Sequence, residues 1–179
     1  MNIKVVLIVL GEPNSTFSEI LLKYFCSTNF KKINKKITLV GNVDLFKKQM
    51  KILNYNIKLN VVSDINQSVK KSINIINVDY KFKRAFSKIS DSSTKYIEEC
   101  FNLSLKLIKK GKADELINGP ISKKHFLKKK FPGITEYIAE KTSSRNPVML
   151  IYNNNLSVSP LTTHIPIKNV SKYVKKKKL

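Results

Sequence analysis

The chain has 179 residues, 42% of them hydrophobic, and its 34 Lys and Arg against 12 Asp and Glu give a formal net charge of +22. That length suffices for a well-buried domain near the upper edge of the commonest domain size. Two widely separated cysteines, Cys26 and Cys100, exclude a disulfide framework or a metal knuckle and read as small core residues of a reduced compartment. The apolar run at 5–10 is too short to cross a bilayer and meets Gly11-Glu12-Pro13 at once, so it reads as a buried strand, with the cytoplasm as the expected location and no membrane partner.

The charge is almost all lysine, Arg84 and Arg145 being the only arginines, and it is spread through every segment. Proteins that grip phosphate backbones favour arginine forks and interleaved aromatics. Dispersed lysine among abundant Asn and Ile fits A- and T-rich codons and ordinary solvated faces better, so no nucleic-acid partner is expected. The field would still draw phosphorylated small molecules.

In chain order, residues 3–10 are a continuous apolar strand, as in a sheet covered on both faces. Thr16 and Glu19 stand at capping-box spacing for a helix to about Phe25 with Ile20, Leu21, Tyr24 and Phe25 inward. Residues 37–40 read as a strand ended by Gly41, and 44–54 as a helix burying Leu45, Phe46, Met50 and Leu53. Residues 58–62 and 72–78 read as strands, and 79–90 carry no readable pattern. The longest helix follows caps at 91–93, repeats Ile97, Phe101, Leu105 and Ile108, and stops at Gly111.

A strand around Leu116-Ile117 then runs into a Gly119-Pro120 turn, with Ser122 capping a short helix that carries Lys123, Lys124 and an exposed His125. Thr135 is expected to cap a helix to about Lys141, and 148–152 with 156–161 to form a hairpin around Asn153-Asn154-Asn155. No internal repeat is present, and the basic tail at 171–179 is expected to fray. Alternating strands and helices predict an α/β fold: a mostly parallel sheet with helices on both faces.

Two sites carry candidate chemistry. His164 follows Thr162-Thr163 at the end of the last expected strand, where one ring nitrogen could ligate a metal, although a packed or surface histidine fits the same residues. Asn118-Gly119-Pro120-Ile121-Ser122-Lys123 offers a close backbone approach, helix-start amides and a lysine charge to an anion. An ordinary strand-to-helix turn reads the same way.

Three segments together resemble the N-terminal half of the 4-hydroxythreonine-4-phosphate dehydrogenase family of pyridoxal phosphate biosynthesis. Residues 118–123 resemble its Gly/Ala-Pro-(Ile/Val)-x-Lys segment, Gly133-Ile134-Thr135-Glu136 its Gly-His-Thr-Glu segment, and Thr162-Thr163-His164 its Thr-Thr-His metal-ligand segment, in order and at the family's spacing. The resemblance implies an isocitrate/isopropylmalate dehydrogenase-like fold, a homodimer, NAD, and a divalent metal (zinc, magnesium or cobalt) with His164 as one of three ligands. It implies NAD-dependent oxidation with decarboxylation of 4-phosphohydroxy-L-threonine, with Thr135, Lys123 and the position of Ile134 against the phosphorylated substrate.

The sequence departs from the family in three places. Ile134 stands where the family has a substrate-binding histidine and can form no hydrogen bond, and 14–19 lack the family's glycines. By the resemblance, the other metal histidines and most NAD contacts belong to a second half beyond Leu179. Residues 1–179 are therefore expected to be the N-terminal part of a two-domain dehydrogenase that does not catalyse alone. Rival expectations are a dehydrogenase for another phosphorylated hydroxy acid, a non-catalytic binding or dimerisation remnant, and, against the lysine pattern, a nucleic-acid-binding domain.

Overall fold

A computed structural model describes residues 4–145, 147–163 and 165–174. Its centre is a five-stranded parallel sheet of β1 (Val5–Val9), β2 (Lys36–Gly41), β3 (Leu59–Val62), β4 (Ile73–Asn77) and β5 (Glu115–Asn118), in the spatial order β3-β4-β2-β1-β5. The expected α/β class, with a parallel sheet sandwiched between helices, is what the chain forms. Strand alternation sends Val6, Ile8, Ile37, Leu39, Ile73 and Ile75 to one face, beneath α1 (Phe17–Phe25), α2 (Thr28–Lys32) and α3 (Val43–Ile52). Leu7, Val9 and Val40 point the other way, toward α4 (Thr94–Lys109), which buries Tyr96, Ile97, Cys100 and Phe101.

Several details correct the sequence expectations. In α1 the buried positions are Ser18, Leu21, Leu22 and Phe25, an i, i+3, i+4, i+7 stripe, while Ile20 is 58% exposed. Thr16 holds the N-cap position but makes no side-chain cap bond. Glu19 pairs with Lys23 at 2.7 Å instead. Cys26, at the C-cap, is exposed and is no core residue. Helix α2, capped by Ser27, was not foreseen; its Phe30 packs edge-on against Phe25 at 5.0 Å. In α3, Gln49 is buried and donates to the Pro13 carbonyl at 2.7 Å, and Leu53 is only partly buried.

The link between the parallel neighbours β3 and β4 is short, residues 63–72, and holds one 3-10 turn in place of an α-helix. Asn74 makes this possible. Fully buried, its amide nitrogen donates to the carbonyls of Ile37, Val69 and Ser72, and its oxygen accepts from Val69 N and Asn60 Nδ2. Every polar atom of this side chain is thus partnered, which a buried amide requires.

Helix α4 ends as its glycine implies. Gly111 adopts φ +65, its N–H donates to Ile108 O, and Lys112 N–H reaches back to Leu107 O, which together form a Schellman motif. Residues 79–90 hold no helix or strand; Tyr80 stacks on Tyr96 at 4.7 Å.

The chain divides into two compact units, residues 1–128 and 129–179. The second holds α5 (Ile134–Lys141), a hairpin of β6 (Ile151–Tyr152) and β7 (Ser157–Val158), and α6 (Val170–Tyr173). The hairpin is antiparallel, as expected, but its strands are two residues each and exposed. Residues 171–173 of the expected frayed tail are helical, and 175–179 lie outside the described residues.

Nothing lies within 4 Å of a Cβ built on Gly111. Gly111→Ala is therefore expected to cost only the left-handed backbone penalty, about 1 kcal/mol in urea unfolding, with an unchanged denaturant slope.

Candidate functional site

Parallel strands end together, and the turns after β1, β2, β4 and β5 gather at one edge of the first unit. Two of these turns touch through backbone. Gly11 follows β1 at φ +70, and a Cβ there would lie 2.4 Å from Pro120 O; a Cβ on Gly119, just after β5, would lie 2.5 Å from Leu10 O. Glu12 N–H donates to Pro120 O at 2.8 Å and Gly119 N–H to Val9 O at 2.7 Å, which locks the pair. The departure from a glycine-rich segment at 14–19 thus leaves the Gly11 turn itself formed.

Side chains secure the other turns. Glu12 is 3% exposed, its Oε2 accepting from Ser93 Oγ at 2.9 Å and its Oε1 from Asn14 N at 3.2 Å. A carboxylate from the β1 turn therefore holds the start of α4. Asn42, after β2, caps α3 through Leu45 N at 2.9 Å and donates to Val78 O at 3.1 Å, and its own N–H donates to Tyr96 Oη at 3.0 Å. Burial pushes the Tyr96 hydroxyl well above its usual pKa and the Cys100 thiol to about 12, so both stay neutral under α4. The cavity among Leu10, Glu12, Asn42, Gln49 and Tyr96 is about 10 Å³, room for about one water, so a ligand of any size would bind outside these turns.

The expected anion turn takes shape beyond Gly119. Ser122 caps as predicted, its Oγ accepting from His125 N at 3.2 Å, and the turn it opens is a single π-helical turn, Lys123–Leu127. Lys123 is exposed at its first residue. His125 is not the exposed residue expected from its lysine-rich setting: its side chain is 26% exposed and its Nδ1 lies 2.6 Å from Asp91 Oδ1. Its carbonyl also accepts from Thr94 Oγ1 at 3.2 Å. Asp91 was read only as a helix cap, and in a sequence nothing but the 34-residue separation relates the two. The hydrogen bond from His125, followed by the charges of Lys128, His125 and Lys124, holds the Asp91 carboxyl below the usual carboxylate range.

Thr135 and Ile134 sit in the second unit. Thr135 is not the cap of α5: Gly133 occupies that position in an extended conformation, Ile134 begins the helix, and Thr135 follows, half-buried, in the first turn. There its amide is one of the four N–H groups that a helix leaves without a partner inside itself. Glu136, also in the first turn, has an Oε2 with no hydrogen-bond partner among the described residues. Phe131 meets Tyr137 edge-on at 5.5 Å, and Lys141 Nζ stands 5.6 Å over the Tyr137 ring. His164 lies outside the described residues. Among the described residues, no three His, Cys, Asp or Glu side chains come together to hold a metal, and a single histidine cannot hold one alone.

Two substitutions test this edge. Gly119→Ala forces a methyl onto Leu10 O and is expected to lower stability by more than about 2 kcal/mol in urea unfolding. His125→Ala removes the main cause of the Asp91 shift and is expected to bring that carboxyl up toward the usual value, read by NMR titration. In the wild type, ionised Asp91 adds stability at pH values above the usual carboxylate pKa, and that contribution is lost as the pH falls through its lowered value.

Residues 33–179 match the family model described as pyridoxal phosphate biosynthetic protein PdxA. A 4-hydroxythreonine-4-phosphate dehydrogenase of Sulfurihydrogenibium sp. (strain YO3AOP1) is 32% identical over 177 residues, 96% of this chain and 53% of the relative. A D-threonate 4-phosphate dehydrogenase of Salmonella typhimurium is 23% identical over 94% of this chain and 53% of its own length. The crystal structure of a 4-hydroxythreonine-4-phosphate dehydrogenase from Burkholderia phymatum shares the fold at a TM-score of 0.87 and 19% identity, covering 99% of this chain and 55% of that one. The chain thus spans about half the length of the relatives it matches. With its parallel sheet, its glycine-proline turn and this match, the chain belongs to the pyridoxal phosphate biosynthetic protein PdxA family.

Proposed function

We propose that the chain is the N-terminal part of an NAD-dependent 4-hydroxythreonine-4-phosphate dehydrogenase that acts in pyridoxal phosphate biosynthesis in the cytoplasm. The observation that carries this reading is the family match over residues 33–179. On this reading the exposed Lys123 offers a positive charge suited to the phosphate of 4-phosphohydroxy-L-threonine, and Thr135 is a substrate contact by the family resemblance alone. His164 would be one ligand of a divalent cation, with NAD and the remaining ligands supplied from outside these 179 residues. Such a cation would polarise the hydroxyl being oxidised. No described group of side chains completes that metal site, so the 179 residues alone are expected to bind substrate and not to reduce NAD. A homodimer is part of the reading, supported by the apolar, exposed Leu150, Ile151, Tyr152 and Leu156 of the β6–β7 hairpin.

A second reading is favoured by Ile134 together with the Salmonella relative: a substrate that is a phosphorylated hydroxy acid without the amino group. Isothermal titration of the purified chain with 4-phosphohydroxy-L-threonine, 4-phospho-D-threonate and inorganic phosphate separates the two. Tightest binding of the first is expected, weakened about tenfold, or about 1.4 kcal/mol, by Lys123→Ala or Thr135→Val. Preference for the second compound selects the second reading. Failure of both organic phosphates to bind better than phosphate itself defeats both.

A further inference from the structure

Asp91, at the start of α4, and His125, in the turn after β5, meet with 2.6 Å between Oδ1 and Nδ1. The Asp91 side chain is 65% exposed, and an ion pair so open to water adds little to stability. Its larger effect is on the imidazole ring. The carboxylate selects the tautomer with the proton on Nδ1, and the two ring nitrogens diverge, so Nε2 faces away from Asp91. Among the described residues Nε2 has no hydrogen-bond partner, and it is not one of their buried, unsatisfied atoms. A ring held at one nitrogen and open at the other is how proteins aim an imidazole at a ligand.

The ring has a firm mounting. Phe126 and Leu127, which follow it, are buried, and Phe126 stacks on Phe101 of α4 at 5.9 Å. Ser122 Oγ accepts from the His125 N–H, and Thr94 Oγ1 donates to the His125 carbonyl. With the apolar side chains turned inward, Lys123, Lys124 and Lys128 are left exposed. Residues 116–135 include no Asp or Glu, so the segment itself carries only positive charge. The charged groups that meet at the pair are Asp91 from α4 and Lys124 and Lys128 from either side of the ring.

We propose that His125 and these lysines bind a phosphate group and share one proton with it, with Asp91 as the positioning residue. The chemistry of the ring narrows the ligand. Lysine charges suit a dianion, while Nε2 of the neutral, Asp91-bound ring carries a lone pair and no proton. A proton must therefore come with the ligand or from solvent, and it ends in the bond between Nε2 and a ligand oxygen. Phosphates and imidazoles both exchange a proton between about pH 5 and pH 8, whereas a sulfate is ionised throughout that range and brings none. Asp91 stabilises the imidazolium that forms. The proposal rests on this pair and its lysines, not on the dehydrogenase reading, and either can fail without the other.

Isothermal titration of the purified chain in buffers of different ionisation enthalpy counts the protons taken up on binding. At about pH 8, uptake of close to one proton is expected for each inorganic phosphate or 4-phosphohydroxy-L-threonine bound, with affinity falling about tenfold per pH unit above that. His125→Gln keeps a side chain that can donate to an oxygen but cannot take up the proton, and is expected to abolish the uptake. Asp91→Asn is expected to lower it. Equal uptake with the two ligands, and equal affinity, assigns the site to free phosphate; tighter binding of the organic ligand assigns it to a phosphorylated metabolite. No binding of either ligand overturns the proposal, as does uptake that His125→Gln leaves unchanged. Binding of 4-phosphohydroxy-L-threonine without uptake also overturns it, and leaves the dehydrogenase reading standing. A second measurement needs no variant: added phosphate is expected to move one imidazole Nε2 resonance of the unaltered chain toward its protonated position. A spectrum in which neither histidine responds overturns the proposal.

Discussion

The contact between the Gly11 turn and the Gly119-Pro120 turn is the constraint from which the rest of this edge follows. Side chains at either glycine would hold β1 and β5 apart, because the obstacle on each side is a backbone carbonyl that cannot swing away. With the contact made, Glu12 is carried inward to Ser93, α4 is tied to the β1 turn, and the segment from Ser122 to Leu127 is set against the start of α4 through His125 and Asp91. A sequence of short, geometrically demanding links thus converts one close approach into the position of Lys123.

Local chemistry made much of this readable from the residues. Gly111 as a helix stop, Ser122 as a cap and the 118–120 turn depend on neighbours within a few positions, and sequence windows capture those. The phase of α1 was misread because Ile20 is apolar and Ser18 is not, yet packing against the sheet selects the face containing Ser18, Leu21, Leu22 and Phe25. Thr135 looked like a cap because threonine often is one. Gly133 takes the extended cap conformation instead, two residues earlier. Interactions across the fold left no local trace: the partners in the Glu12–Ser93 and Asp91–His125 pairs are 81 and 34 residues apart. The three-segment resemblance reached further than any single motif, because order and spacing carry information that a lone glycine or histidine does not.

Polar groups inside this fold serve topology more than stability. Asn74 lets two parallel strands be joined by a link too short for a helix, and Asn42 fastens the β2 end to α3, α4 and the β4 exit at once. In each the amide nitrogen donates and the amide oxygen accepts, so neither leaves a buried polar atom without a partner. An apolar residue at either position would take the side-chain partners away from these backbone groups.

Burial under α4 also gives the chain a built-in reporter of its own opening. Cys100 is buried and its thiol is held protonated by a pKa of about 12, whereas Cys26 is exposed. The reactive species is the thiolate, so at neutral pH an alkylating reagent consumes Cys26 first and meets Cys100 only when α4 lifts from the sheet. The slow phase of thiol modification therefore clocks the unfolding of this half of the sheet, in the unaltered sequence and without any added probe.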